Sequence, residues 1–188
     1  PSARVSHAML DLARPDVPAE MVDAAVGEHG RIDILVNNAG VRIRKPFGQF
    51  SADDFDQLMA VNLRAPMLAA QAAAAHMRAR GAGRIINVAS QLGTVTDTDA
   101  SLYGMSKAAL LYLTRAMAVE LAQFGIVVNA VSPGTTATEF ILTTMTDSRL
   151  ASRLEHIPAK RLGRPEEIAQ AVDSIGGVDI TVERRISD

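Results

Sequence analysis

The chain has 188 residues, 48% of them hydrophobic and 21% charged, with a net charge of −2. That balance describes one globular unit able to bury a core, and it excludes a disordered chain or a basic surface made for nucleic acid or an anionic membrane. With no cysteines, disulfides, thiolate metal sites and cysteine nucleophiles are ruled out within these residues, and the four histidines lack zinc-motif spacing, so no metal is expected.

Residues 2–7 are polar and include Arg4, which argues against a leader at this start. The most apolar stretches are broken by charges such as Arg115 and Glu120 before they are long enough to span a bilayer. A cysteine-free sequence suits a reducing compartment, and a cytoplasmic location is expected.

Short apolar runs alternate with longer helical stretches. In chain order the pattern predicts a weak strand at 5–10, a helix at 19–28, a strand at 31–36 (RIDILV) and a long helix at 52–80. A strand at 84–89 (RIINVA), a helix at 102–123, a strand at 126–131 (IVVNAV) and a helix at 165–175 follow, and 178–182 alternates like a further strand. The three strong strands are rich in Ile and Val, as strands covered on both faces are. Strand–helix–strand alternation predicts an α/β fold with a doubly wound parallel sheet, one domain over 1–188.

Local chemistry supports these boundaries. Ser51 with Asp54 three residues on forms a capping-box pattern. Pro165 suits the first position of a helix, and Glu166 and Glu167 favour the positive end of its dipole. Gly30 and Gly125 stand where a helix C-cap glycine belongs. Pro66 lacks the N–H that would bond the Asn62 carbonyl four residues back, so the long helix is expected to kink there and free that carbonyl. Such a carbonyl suits a bound water, or Pro66 simply bends the helix around the core.

Four places carry candidate chemistry. Tyr103 and Lys107 are four apart on a helix and share a face. A nearby cation lowers a phenol's pKa and makes it a proton donor and acceptor near neutrality, although such pairs also occur on solvated helices. Ser90 ends a strand, where open parallel sheets bind ligands, or it is a turn serine. Asn37-Asn38-Ala39-Gly40 and Pro133-Gly134 follow two other strand ends, where small residues admit a ligand to the backbone or merely make turns.

Taken together, NNAG at 37–40, Asn62 in VNL, Ser90 in NVAS, Tyr103-x-x-x-Lys107, Pro133-Gly134 with Thr138, and Arg161-Leu-Gly-Arg-Pro-Glu-Glu-Ile168 resemble the short-chain dehydrogenase/reductase family, reductase branch. The resemblance runs from about residue 10 to residue 175, in the family's order and spacing. It implies a Rossmann-like fold and a hydride-transfer enzyme using NAD or NADP on a small carbonyl or alcohol. Tyr103 would be the general acid/base. Lys107 would lower its pKa and bind the nicotinamide ribose. Ser90 would orient the substrate oxygen, and Asn62 would hold a relay water. Asp11 and Leu12, with Asn38, Ala39 and Gly40, would line the adenosine side. Pro133, Gly134, Thr136 and Thr138 would meet the nicotinamide and a phosphate. A homo-oligomer, dimer or tetramer, and no nucleic acid or membrane partner are implied.

The family's Gly-rich turn, Gly-x-x-x-Gly-x-Gly, does not occur in the sequence. The fold is therefore expected to be incomplete at the N-terminus, with the pyrophosphate cradle and the NAD-versus-NADP selectivity segment absent. The usual C-terminal end is also absent. The strand at 31–36 is expected to show an open edge. A truncated, non-catalytic remnant or interaction protein that binds no dinucleotide is the alternative function. The segments at 91–100 and 138–160 would meet substrate, and the polar first one suggests a hydroxylated molecule. Arg42 and Arg44, after NNAG, could meet an acidic group, with solvated surface the stronger expectation for both.

Overall fold

The computed structural model describes residues 5–176. Three strands form one parallel sheet in the order β1 (Ile34–Asn37), β2 (Gly83–Val88), β3 (Ile126–Val131). The helices are α1 (Val17–His29), α2 (Ala52–Met59), α3 (Ala65–Arg78), α4 (Ser101–Leu121), α5 (Glu139–Thr144), α6 (Asp147–His156) and α7 (Pro165–Gly176).

The period-two alternation of the strands sorts their side chains onto two faces. Leu35, Ile85, Ile126 and Val128 face a core built with Val22 of α1, Ala69, Ala73 and Met77 of α3, and Leu121 of α4. Ile86 and Val131, with the partly buried Ile34, Val36 and Val88, face the other way and pack on Val172 and Ile175 of α7. Helices on both faces of a parallel sheet give the doubly wound α/β architecture. The alanine run of α3 is what lets that helix lie close on the sheet: Ala69, Ala70 and Ala73 are almost fully buried.

The caps form as the residue types require. Ser51 accepts from the Asp54 N–H at 3.1 Å, and the Asp54 carboxylate accepts from the Ser51 N–H at 2.8 Å. Gly30 and Gly125 both adopt the left-handed conformation, at φ 79° and 68°. At Gly125 the requirement is double, because a Cβ there would also overlap the Gly81 carbonyl oxygen.

One expectation is corrected. Residues 5–10 are not a strand. Val5 and Met9 are more than 80% exposed. β1 is the sheet's edge among the described residues, so nothing there pairs with a strand beyond it. Just before Pro66 the helix is irregular. The chain passes from α2 to α3 through one π-helical turn, Ala60–Arg64, in which the Ala65 N–H bonds the Ala60 carbonyl five residues back. Pro66, at the start of α3, has no N–H to give the Asn62 carbonyl. The expected strand at 178–182 lies outside the described residues.

Replacing Gly125 by alanine combines a positive φ with a backbone clash. Urea denaturation should show a loss of more than about 1 kcal/mol, where an exposed glycine with ordinary φ would lose little.

Candidate active site at the carboxyl ends of the strands

The carboxyl ends of β1, β2 and β3 present three loops side by side, and hydrogen bonds hold them in register. Past β2, the Ala89 N–H donates to the Val131 carbonyl at 2.8 Å and the Gln91 N–H to the Pro133 carbonyl at 3.0 Å. Ser90 is therefore fixed beside Pro133-Gly134, and its hydroxyl accepts from the Leu92 N–H at 3.2 Å to cap the short turn Gln91–Gly93. That turn packs on α4. A Cβ at Gly93 would meet the Lys107 backbone at 2.9 Å, and one at Gly104 would meet the Leu92 carbonyl at 2.8 Å. Two glycines thus allow the approach that brings Ser90 to Tyr103. The Ser90 hydroxyl is close enough to the Tyr103 phenol to favour its ionised form.

A cavity of about 160 Å³ opens over this pair. Ser90, Tyr103, Gly134, Thr136 and Thr138 line it, as do Gln91, Ile141, Arg42 and Arg153. Thr138 caps α5, its hydroxyl accepting from the Ile141 N–H at 3.3 Å. The loop after β3 is pinned to the Arg161–Ile168 region, where the Gly163 N–H bonds the Thr135 carbonyl at 3.0 Å and the Ala137 N–H bonds the Gly163 carbonyl at 2.8 Å.

Lys107 lies one turn further along α4, buried, with its ammonium donating to the Val88 carbonyl at 2.9 Å. Burial holds its pKa down to about 8. Gly40 stands over it: a Cβ there would lie 3.5 Å from Lys107 Nζ and 3.3 Å from Asn62 Oδ1. Asn62 is fully buried. Its amide oxygen accepts from the Val41 N–H at 2.8 Å, and its amide nitrogen donates to the Val41 carbonyl at 2.9 Å and to Ser106 Oγ at 3.1 Å.

Tyr103 departs from expectation. Burial raises its pKa above the ordinary tyrosine value, while Ser90 and then Arg42 pull it down. The cation acting on the phenol is Arg42, whose guanidinium carbon lies 5.6 Å from the ring centroid. Lys107 Nζ is 5.8 Å from that centroid and is directed to the Val88 carbonyl. The expected solvation of Arg42 and Arg44 is also corrected. Arg42 Nε and Arg44 Nε are both buried. Arg44 ion-pairs with Asp97 at 3.2 Å and donates to the Thr98 carbonyl.

Asp11 and Leu12 are not brought to this cavity. Asp11 turns on itself, accepting from the Ala13 N–H at 2.9 Å. Asn38, Ala39 and Gly40 are exposed at the end of β1. Asn37 instead points into the sheet, donating to Asn87 Oδ1 at 2.9 Å, and Asn87 donates to Thr114 Oγ1 at 2.8 Å. This polar chain, buried from Asn87 on, was not expected from the sequence. Its signal was an asparagine between the Ile and Val residues of RIINVA.

The family model described as Enoyl-(Acyl carrier protein) reductase matches residues 2–175. The chain belongs to the short-chain dehydrogenase/reductase family. Among relatives within that family, an uncharacterized oxidoreductase of Thermotoga maritima is 43% identical over 161 residues, 81% of this chain and 63% of its own length. The 2-dehydro-3-deoxy-D-gluconate 5-dehydrogenase of Escherichia coli is 38% identical over 183 residues, 92% of this chain and 72% of its own. The crystal structure of a gluconate 5-dehydrogenase from Burkholderia cenocepacia in complex with NADP and tartrate superimposes with a TM-score of 0.81 at 36% identity, covering 86% of this chain and 64% of that one. The chain thus spans about two thirds of the length of the short-chain dehydrogenases it matches.

The buried ammonium makes stability depend on pH. Unfolded, Lys107 keeps its proton to about its ordinary value of 10.5, whereas folded it releases the proton near 8. Between these values the unfolded chain binds more protons, so stability rises with pH, by up to about 3 kcal/mol. Urea denaturation at pH 7.5, 9 and 10 should show this rise, and Lys107→Met should flatten it.

Proposed function

We propose that this chain carries the catalytic centre of an NAD(P)-dependent oxidoreductase that moves a hydride between nicotinamide and a small carbonyl or secondary alcohol. The observation that carries the reading is the meeting of Ser90 and Tyr103 in one cavity at the strands' carboxyl ends, with Lys107 one helical turn on.

The residues fit such a cofactor where the glycines leave room. With no side chain at Gly40, the Lys107 ammonium stays open towards the end of β1. Lys107 and Tyr103 would hold the nicotinamide ribose, and Pro133, Gly134, Thr136 and Thr138 the nicotinamide and a phosphate. Asn38, Ala39 and Gly40, with Asp11 and Leu12, would line the adenosine side. When bound, the nicotinamide supplies the hydride in reduction and accepts it in oxidation.

The protein's own part is proton handling and orientation. The Ser90 hydroxyl donates to the carbonyl oxygen and holds it against Tyr103. The Tyr103 hydroxyl gives its proton to that oxygen as it becomes an alkoxide, leaving an alcohol and a phenolate. The reverse reaction returns the proton to the phenolate. Burial favours the neutral phenol, the form that reduction needs at neutral pH. The Lys107 ammonium stabilises charge at the site, and Asn62 would hold the water through which a proton returns from solvent.

A homo-oligomer, dimer or tetramer, belongs to the same reading. Met105, Tyr112 and Val119 recur every seven residues along α4 and are 47%, 69% and 80% exposed, an apolar stripe that a second copy would cover.

Tyr103→Phe removes the transferable proton and little packing. In the complete polypeptide it should lower carbonyl reduction by about 10²–10⁴-fold with an unchanged circular dichroism spectrum. A variant turning over at the wild-type rate would take Tyr103 out of the mechanism.

A further inference from the structure

Arg42 brings an unsatisfied cation to the cavity lined by Ser90 and Tyr103. Its Nε is buried without a hydrogen-bond partner. Among the described residues no hydrogen bond or ion pair engages its guanidinium, which lies against the Tyr103 ring. The backbone holds it there, because both polar groups of the adjacent Val41 are bonded to the buried Asn62 amide.

The surroundings sharpen the imbalance. Arg153 lines the same cavity, and both Arg44 and Arg153 are near enough to repel Arg42. Asp97 is the carboxylate that attracts it, yet Asp97 is already shared between Arg44 and Arg153. Three guanidiniums therefore face one carboxylate, and two of the three are engaged. Burial and the two like charges hold the Arg42 pKa below the ordinary arginine value, but a guanidinium stays charged in a protein. A half-buried cation with no counter-ion costs free energy. A carboxylate would relieve that cost in the geometry a guanidinium fork matches, two parallel N–H donors to two oxygens. One unengaged guanidinium suits a singly charged group better than a phosphate dianion.

We infer that the cavity takes a hydroxy- or keto-acid, its carboxylate held by Arg42 while its alcohol or carbonyl faces Ser90 and Tyr103. The reacting end rests on the oxidoreductase reading above, and the acid end rests on Arg42. Arg153 is the second cation the acid meets, steadied by Asp97.

D-gluconate and sorbitol test this, since they differ only in a carboxylate replacing a hydroxymethyl group. Calorimetric titration of the complete polypeptide, in the Tyr103→Phe background so that no turnover contributes, is made with and without NADP. Gluconate should bind about 10- to 100-fold tighter than sorbitol. Arg42→Gln should bring the ratio near one. Arg42→Lys, which keeps the charge and loses the fork, should fall between and guards against a glutamine variant that fails to fold. Equal binding of the two ligands, no gluconate binding, or a preference that survives Arg42→Gln would overturn the inference. Inorganic phosphate displacing gluconate at equal concentration would overturn the choice of a carboxylate. Turnover by the wild-type protein separates the two readings. Acid preference with no hydride transfer to any substrate would sink the oxidoreductase and leave the Arg42 site standing. Hydride transfer without acid preference would do the reverse.

Discussion

One buried amide ties the site together. Asn62 satisfies both backbone groups of Val41, beyond the end of β1, and donates to Ser106 on α4. Ser106 in turn donates to the Tyr103 carbonyl at 2.7 Å. A single side chain thus links the loop after β1, the α2–α3 helix and the turn that carries Tyr103. Asn62 and Ser106 are out of water, so breaking the bond between them leaves a buried donor or acceptor unpaired at about 1–3 kcal/mol. The π turn serves this arrangement. It places Ala60 and Asn62, both buried, on the inner side of the helix just before Pro66.

Glycines decide how close the parts come. Gly93 and Gly104 let the turn after β2 lie against α4, where even a methyl group would meet backbone atoms. Gly40 leaves space above the Lys107 ammonium, and Gly134 lies where a Cβ would come 3.2 Å from the Gln91 amide oxygen. The apolar core holds sheet and helices in place, and these gaps then set the distances between functional side chains. A conservative-looking alanine at Gly104 acts on Ser90 and Tyr103 alike, because it pushes on the Leu92 carbonyl beside them.

Burial works in opposite senses on the two titrating groups of α4. It makes Lys107 easier to deprotonate and Tyr103 harder, since in each case the charged form is the one that loses water. The positive potential at the phenol comes from Arg42, on the loop after β1, across the cavity from the helix. That arrangement leaves a neutral phenol lining the cavity with a fixed cation beside it.

Much of this was legible along the chain. Periodicity marked the three strands and the four main helices, and the Ser51, Gly30, Gly125 and Pro165 signals are local, depending on residues a turn apart. Ser90, Tyr103 and Lys107 stood out because their residue types and spacing form a recognisable pattern. The segment at 5–10 misled because an apolar run becomes a strand only when a neighbour accepts its hydrogen bonds. The contacts of Asn87 and Gly104 could not be read at all, and for Arg42 an acidic partner stood only behind solvated surface. Arg42 faces Tyr103 across 61 positions of sequence, and its charge is left without a counter-ion because Asp97 pairs with Arg44 and Arg153. Local sequence determined which elements form and which side chains can do chemistry, because caps, periods and residue types act over a few residues. Tertiary structure alone decided which cations are paired, which amides are satisfied and which hydroxyls meet, because desolvation and charge pairing depend on whatever folding brings alongside.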